Sequence, residues 1–436
     1  MDMATKLQSE DRKAAHVYDG FWTGRSIYSL SILTLIYTIN YADRQTLALV
    51  LPKLKHDLHL SDFSLGIVTG LAFVLFYSTL GVPVARLADR VNRRNLLSVG
   101  LSFWSVMTVI SGFVTNAWQL GIVRFLMGAG EATAIAPSTS MVADMFPNHR
   151  RALALGILTS GTSLSALLFF PILGWVSLHY GWRITFVAAG LPGLLLAVLL
   201  YGSVSEPARH TPSGLTVEHQ PFATVMRFLA GSRTYILTIA GATILGIALY
   251  AIQIWNPTFL DRIYHLNQQQ LGNSVGLARG LAGLLGAVLS GYLTSALVRR
   301  SEYWLLIVPG IACALMFPTE LVFLFAHSLD ISLLGLAATS FLSAMHFGPV
   351  YAACQSVSRS NMRTTSVAIY LLFANLVGQI VGPMTVGYLN DKWAPFYGAG
   401  AIRYSLGVVA CTAAIGGVLL MLAAITQPAD RLRAER

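Results

Sequence analysis

The chain has 436 residues, of which 55% are hydrophobic and 11% charged. A soluble domain carries about 25% charged residues, so the composition excludes an ordinary soluble fold and points to a membrane protein. The net charge of +10 would suit a nucleic-acid partner, but the placement of the charges below excludes one.

Residues 1–25 are polar and mixed in charge, without a short apolar core followed by a small-residue cleavage site. No signal peptide is therefore expected to be cleaved, and the first span serves as the insertion signal. Twelve helix-length apolar runs follow, near residues 27–51, 63–88, 95–115, 117–145, 152–179, 183–203, 235–260, 268–298, 303–326, 329–357, 364–390 and 403–427. They are long enough to cross a bilayer as helices and too long for the alternating strands of a barrel. With the N-terminus inside, Lys53, Lys55, Arg183, Arg262, Lys392 and Arg403 fall outside, against roughly 20 Lys and Arg inside. This positive-inside split makes the basic excess a topology signal. It predicts a multi-pass protein of the plasma or bacterial inner membrane with both termini in the cytoplasm, and no nucleic-acid binding. Cys313, Cys354 and Cys411 all fall in predicted helices and read as small packing residues.

Span 1 holds two adjacent charges, Asp43 and Arg44. A charge at the bilayer centre costs about 2.5–3.5 kcal/mol, so such a pair marks an ion or substrate pathway. After span 2 the chain reads Ala85-Arg-Leu-Ala-Asp89-Arg90-Val-Asn92-Arg93-Arg94. Asp89 at a helix end can pair with an arginine or a helix N-terminus, and Asp144 at the end of span 4 can take Arg93 or Arg94. Asp89, Arg90, Arg93, Arg94 and Asp144 then form a lock that holds the inside closed; the alternative is a basic anchor that only fixes topology. In the second half Ser295 and Ser356 stand where the acids would be, so the lock is expected on one side only.

Span 4 carries Arg124-Phe-Leu-Met-Gly128-Ala-Gly130-Glu131. Arg124 and Glu131 lie two helical turns apart on one face, and the glycines allow close helix approach. Asp43, Arg44, Arg124 and Glu131 give two acids and two bases whose charges cancel. If Arg44 alternates between Asp43 and Glu131, the abandoned acid becomes easier to protonate, which is a proton switch. Arginine does not deprotonate, so Asp43, then Glu131, are the candidate carriers. A static salt-bridge network is the alternative.

A polar stretch from about 203 to 234 separates six spans from six, with Phe222 to Leu229 as a short amphipathic helix. The domain reading is a tail at 1–25, a six-helix bundle at 26–203, a linker at 204–234, a second bundle at 235–427 and a tail at 428–436. The halves repeat: an offset of 206 superposes Gly70-Leu-Ala on Gly276-Leu-Ala and Arg93-Arg94 on Arg299-Arg300. In span 7, Tyr250, Trp255 and Pro257 read as a gate or as an ordinary kink. Arg279 in span 8 and His346 in span 10 read as ligands for an anion, or as a snorkelling arginine and a packing histidine. Arg44, Arg279, His346, Tyr250 and Trp255 are the candidate substrate contacts.

The loop at 85–94 resembles the major facilitator signature G-x-L-A-D-R-x-G-R-R, with Ala85 and Asn92 at its glycine positions. Span 4 resembles a second facilitator signature, R-x-x-x-G-x-G-E. Parallel six-helix repeats with substrate between the halves are the organisation of that fold. An all-α membrane protein with twelve helices in two six-helix bundles is therefore expected. Within the superfamily the chain resembles the spinster family. The carrying residues are Asn40-Tyr-Ala-Asp-Arg44, Leu60-Ser-Asp-Phe-Ser-Leu-Gly66, Thr69-Gly-Leu-Ala-Phe-Val-Leu-Phe-Tyr77, Gly128-Ala-Gly-Glu-Ala132, Gly181-Trp-Arg183, Val381-Gly-Pro383 and Gly387-Tyr-Leu-Asn-Asp391. The resemblance implies alternating-access transport of an amphipathic anion, a lysophospholipid or a sphingosine-1-phosphate-like lipid, with proton coupling. The neighbouring anion:cation symporters share the Asp-Arg and Gly-Glu signatures, which implies a sugar acid as the alternative substrate. The expected partners are membrane lipids, the anionic substrate and protons, with the monomer as the functional unit. No H-E-x-x-H or G-x-x-x-x-G-K occurs, so no enzyme activity, cofactor or metal is expected.

Overall fold

The computed structural model describes residues 24–88, 90–208, 222–359 and 362–435. Among them there is no β-strand. Helix α1 is Gly24–Asp57. Helix α2 runs through Asp62–Gly66, a π-helical turn at Ile67–Leu71 and Ala72–Ala88. Helix α3 is Arg93–Ser111, and α4 is Ala117–Glu131 continued by Ile135–Met145. Helix α5 begins at Asn148–Leu164, passes a π turn at Ser165–Phe169 and enters Phe170–Ser203. Gly181, with φ of +80°, breaks that last stretch, so α5 ends at 180 and α6 occupies 182–203. The short α7 is Phe222–Ala230. Then follow α8 (Arg233–Tyr264), α9 (Gln268–Val298) and α10 (Trp304–Phe325). Helix α11 is Leu329–Ala344 with Phe347–Ser356, α12 is Arg363–Tyr397 and α13 is Ala401–Glu435.

Local chemistry explains the starts. The side chains of Ser61, Asn92, Asn116, Ser232 and Ser328 each accept from the backbone N–H three residues on, a cap worth about 1 kcal/mol. Asn267 and Gln270 form a reciprocal capping box. By length and hydropathy, seven helical stretches among the described residues could cross a membrane. Two of them, Leu153–Ser203 and Thr365–Glu435, each hold two of the expected spans, and the charge-bearing α1 falls outside that apolar set.

Alternate helix ends define two faces. The terminal face carries residues 24, 90, 147, 204 and 300; the distal face carries 58–61, 181, 265–267, 326–328 and 398–400. Hydrogen bonds and ion pairs join the halves at the distal face. Asp62 at the start of α2 accepts from Arg262 at the end of α8 and from Asn390 of α12. Asp391 accepts from the backbone N–H of Asp62 and Phe63. Below them α2 packs on α12 and α5 on α9. Gly66 makes the first contact feasible, since a Cβ there would stand 2.6 Å from the Pro383 carbonyl oxygen. A single apolar core including Leu47, Leu65, Phe170, Phe186, Trp255, Phe259 and Val386 spans both halves at this end. Toward the terminal face each half keeps its own core. Large apolar side chains such as Leu195, Val198, Val288 and Tyr292 are exposed on the periphery, as a bilayer-facing surface requires.

Candidate functional site

Helix α1 places Asp43 and Arg44 opposite α4. Thr38 and Thr46 flank them and satisfy their own hydroxyls on carbonyls four residues back. Helix α4 stops at Glu131, and Pro137 explains the break: it lacks an N–H and disfavours helix just before it.

Arg44 donates from Nε to Glu131 Oε2 at 2.7 Å, and its Nη2 lies 2.7 Å from the same oxygen. Its guanidinium also sits over three rings, 5.3 Å from Tyr41, 4.8 Å from Phe73 and 4.5 Å from Tyr77. Asp43 is fully buried, and neither carboxylate oxygen has a hydrogen-bond partner. Arg124 is buried as well. One of its nitrogens contacts the Met127 sulfur at 3.4 Å, and its Nε and Nη2 have no partner. Arg44 is thus bonded to Glu131, leaving Asp43 as the acid without a bond. The four residues share one buried cluster in which each charge acts on the others.

Across the gap, Tyr250 of α8 donates to Asn375 Oδ1 of α12 at 2.6 Å. Tyr250 and Tyr351 lie within electrostatic reach of Tyr41 and Tyr77 in the other half. All four tyrosines and Arg44 are partly exposed. They therefore line a shared space between the halves, aromatic on both sides with one cation on the α1 wall.

Three candidate contacts are placed elsewhere. Trp255 is fully buried, its indole N–H donating to the Pro383 carbonyl at 3.1 Å; it is core beneath the distal face, not a wall of the shared space. His346 sits at the break in α11, bonds through Nδ1 to the Ser343 carbonyl at 2.5 Å and lies against Phe347. It serves an orphan helix-end carbonyl, the packing role. Arg279 donates to the carbonyls of Gln253 and Ile252 at 3.0 and 2.9 Å. Pro257 has no N–H, so Gln253 has lost its helical donor, and Arg279 replaces it.

At the terminal face Asp89 lies outside the described residues. Arg90 is exposed. Arg93 donates to Asp144 at 2.5 Å, to Glu206 at 2.7 Å and to Ser140 at 2.8 Å. The backbone N–H of Arg94 donates to Glu206 at 2.9 Å, and the Arg94 side chain covers Tyr201. These contacts join α3, α4 and the segment after α6, all in the first half, and they are formed while the halves meet at the distal face. Through these contacts Arg93 and Asp144 brace the first half. Glu206 was missed because in sequence it is an ordinary linker residue.

Residues 33–383 match the sequence profile of the Major Facilitator Superfamily. The chain is 28% identical over 415 residues to an MFS-type efflux pump of Mycolicibacterium smegmatis, covering 94% of this chain and 96% of that one. It is 29% identical to the protein spinster homolog 1 of Xenopus laevis, covering 97% and 85%. It is 26% identical to the probable galactarate/D-glucarate transporter GudP of Bacillus subtilis, covering 84% and 86%. Among solved structures it is similar to a bacterial homologue of the human lysosomal transporter spinster in an inward-facing, unoccupied conformation. The TM-score there is 0.83 at 25% identity, covering 94% of this chain and 98% of that one.

Proposed function

The chain belongs to the Major Facilitator Superfamily and is a membrane-embedded, multi-pass transporter of spinster-like kind; from that premise we propose that it moves an amphipathic anion by alternating access, coupled to protons. The observation that carries the substrate class is the aromatic setting of Arg44. One guanidinium ringed by Tyr41, Phe73 and Tyr77, facing Tyr250 across the gap, offers a charge for an anionic head and apolar faces for the body attached to it. A lysophospholipid or a sphingoid phosphate has that shape.

Positive-inside topology puts the distal face outside. The halves then meet on the outer side, an inward-facing arrangement with both termini in the cytoplasm. In this state Arg44 is held by Glu131, and Asp43 has no counter-charge bonded to it. An ionised, unbonded, buried carboxylate is costly, so the proton belongs on Asp43 here. When Arg44 leaves Glu131 for Asp43, Asp43 gives up its proton and the abandoned Glu131 becomes the acid easier to protonate. Arg124 tunes both acids without titrating. The monomer holds the complete site and is the functional unit.

A second reading, proton symport of a small organic anion such as a sugar acid, is favoured by the likeness to GudP. Flux in reconstituted vesicles, screened over lysolipids and sugar acids with and without a pH gradient, separates the two. Lysolipid flux supports the first reading, and gradient-driven uptake of sugar acids alone replaces it with the second.

A further inference from the structure

Helix α10 carries one acid, Glu320, within its apolar length. It is fully buried, and neither carboxylate oxygen has a hydrogen-bond partner. Three polar groups face it. Asn256 of α8 is buried with both side-chain polar atoms unbonded. Thr339 of α11 pairs with Thr319 at 2.9 Å. Arg279 of α9 is the cation whose field reaches Glu320. From α13, Arg403 donates to the Leu324 carbonyl one turn further along α10 and lies over Phe259. Phe323 and Leu324, fully buried, occupy the turn between Glu320 and the distal end of the helix.

An ionised carboxylate without hydrogen bonds in such surroundings costs several kcal/mol, and an acid inside a membrane span marks a functional site. One carboxylate and one amide offer too few oxygens to replace the shell of a hard cation. A proton needs only the carboxylate.

The acid also adjoins a bend. Asn256 immediately precedes Pro257, and Arg279 donates to the Gln253 carbonyl that Pro257 leaves without a donor. Acid, bend and arginine are thus contiguous on α10, α8 and α9. We infer that Glu320 is a second proton-binding site, in the C-terminal half, with Arg279 as its switch. Glu320 holds the proton while Arg279 serves the α8 carbonyls. It gives the proton to water at the open face when a change in the α8 bend frees Arg279 to pair with the carboxylate. The inference rests on the alternating-access reading and not on which substrate is carried.

Infrared difference spectra of the purified protein in lipid, taken on stepping the pH, test it through the carbonyl stretch of protonated carboxylic acids. The wild type should show a titrating band that Glu320→Gln removes and that Asp43→Asn and Glu131→Gln leave in place. Thr339→Val keeps the acid but changes its surroundings and should move the band, which keeps the test open if the glutamine variant does not fold. Arg279→Gln removes the counter-charge, so the band should persist to higher pH. A titrating band that Glu320→Gln does not remove and Thr339→Val does not move overturns the inference. Should the Glu320 band titrate while substrate flux is indifferent to a pH gradient, the second site stands and the proton-coupled reading of transport falls.

Discussion

Asp62 and Arg262 form a two-pronged ion pair between the halves, with Nη1 to Oδ2 at 2.6 Å and Nη2 to Oδ1 at 2.7 Å. Asp62 is buried, and it also accepts from Lys55 at 2.5 Å and from Asn390 at 3.0 Å. Two spinster-like motifs, Leu60 to Gly66 and Gly387 to Asp391, therefore meet on one carboxylate and close the distal face. Truncating one partner of a buried pair costs about 3–5 kcal/mol; Arg262 is 19% exposed, which argues for the lower end. Asp62→Asn should shift the protein toward a distal-open state. Spin labels at residues 59 and 265 should report longer distances, and an unchanged distribution would show that the pair does not gate.

The same closure depends on Gly66. A β-carbon at that position would meet the Pro383 carbonyl at 2.6 Å, whereas one at Gly81 on the same helix meets nothing within 4 Å. Gly66→Val should therefore open the distal end with the Asp62–Arg262 pair chemically intact. Gly81→Ala is the control and should leave the label distances as they are. Equal behaviour of the two variants would remove steric approach as the cause.

At the opposite face the brace and the lock make different predictions. Arg93 is buried between Asp144 and Glu206. Hydrogen bonds to charged groups contribute about 1.5–3 kcal/mol each. Arg93→Ala should lower the melting temperature while leaving the distance between terminal ends of the two halves unchanged. A changed distance would support the conformational lock of Arg93 with Asp89, Arg90, Arg94 and Asp144. In that case Asp89→Asn should move the same distance in the same direction.

Much of this was legible from residue order alone. Apolar runs of helix length gave the helices, and charges inside them marked Asp43, Arg44, Arg124 and Glu131, because a buried charge is too costly to be incidental. The roles that stayed hidden depend on partners far along the chain. Asp62 and Arg262 are 200 residues apart. Arg279 looked like a substrate ligand because the carbonyl it serves is orphaned by a proline on another helix. Trp255 reads in sequence as a gate or substrate-contact residue, and only the packing of α8 on α12 shows it sealed. Glu320 carries the same signal as Asp43, an acid within an apolar helix, and is legible from residue order on the same ground.

A pH effect on stability follows from the turn between α5 and α6. Gly181 takes φ of +80° and presents Trp182, whose indole N–H donates to Asp57 Oδ2 at 2.7 Å. That bond, first, and then His56 and Arg183 hold Asp57 below the usual carboxylate range. A carboxylate depressed in the folded state adds stability above its unfolded pKa of about 3.9, and that contribution is lost as pH falls through the lower folded value. Asp57 is 42% exposed, so solvent screening keeps the slope shallow. Trp182→Phe should flatten the acid limb of a melting-temperature profile below about pH 4. An acid limb identical to wild type would assign it to other carboxylates.

Asp43 decides whether the N-terminal cluster is a proton switch or a fixed brace. It is buried without a hydrogen bond, while Glu131 is bonded to Arg44. If Asp43 carries the proton, Asp43→Asn imitates the protonated form permanently. Accumulation driven by a pH gradient should disappear, since nothing remains to titrate. Exchange of substrate across the membrane should survive, because exchange does not require release of the proton. Glu131→Gln removes one partner of Arg44 and should disturb both processes. Arg44→Ala should be worse than either, since it leaves Glu131 buried and uncompensated at a cost of about 3–5 kcal/mol and strips the cation from the aromatic ring of Tyr41, Phe73 and Tyr77. Gradient-driven uptake and counterflow, measured side by side in vesicles at matched protein content, distinguish these outcomes. Accumulation by Asp43→Asn with the pH dependence of the wild type would leave Asp43 as a structural member of a static network, with Glu131 as the remaining carrier in that half.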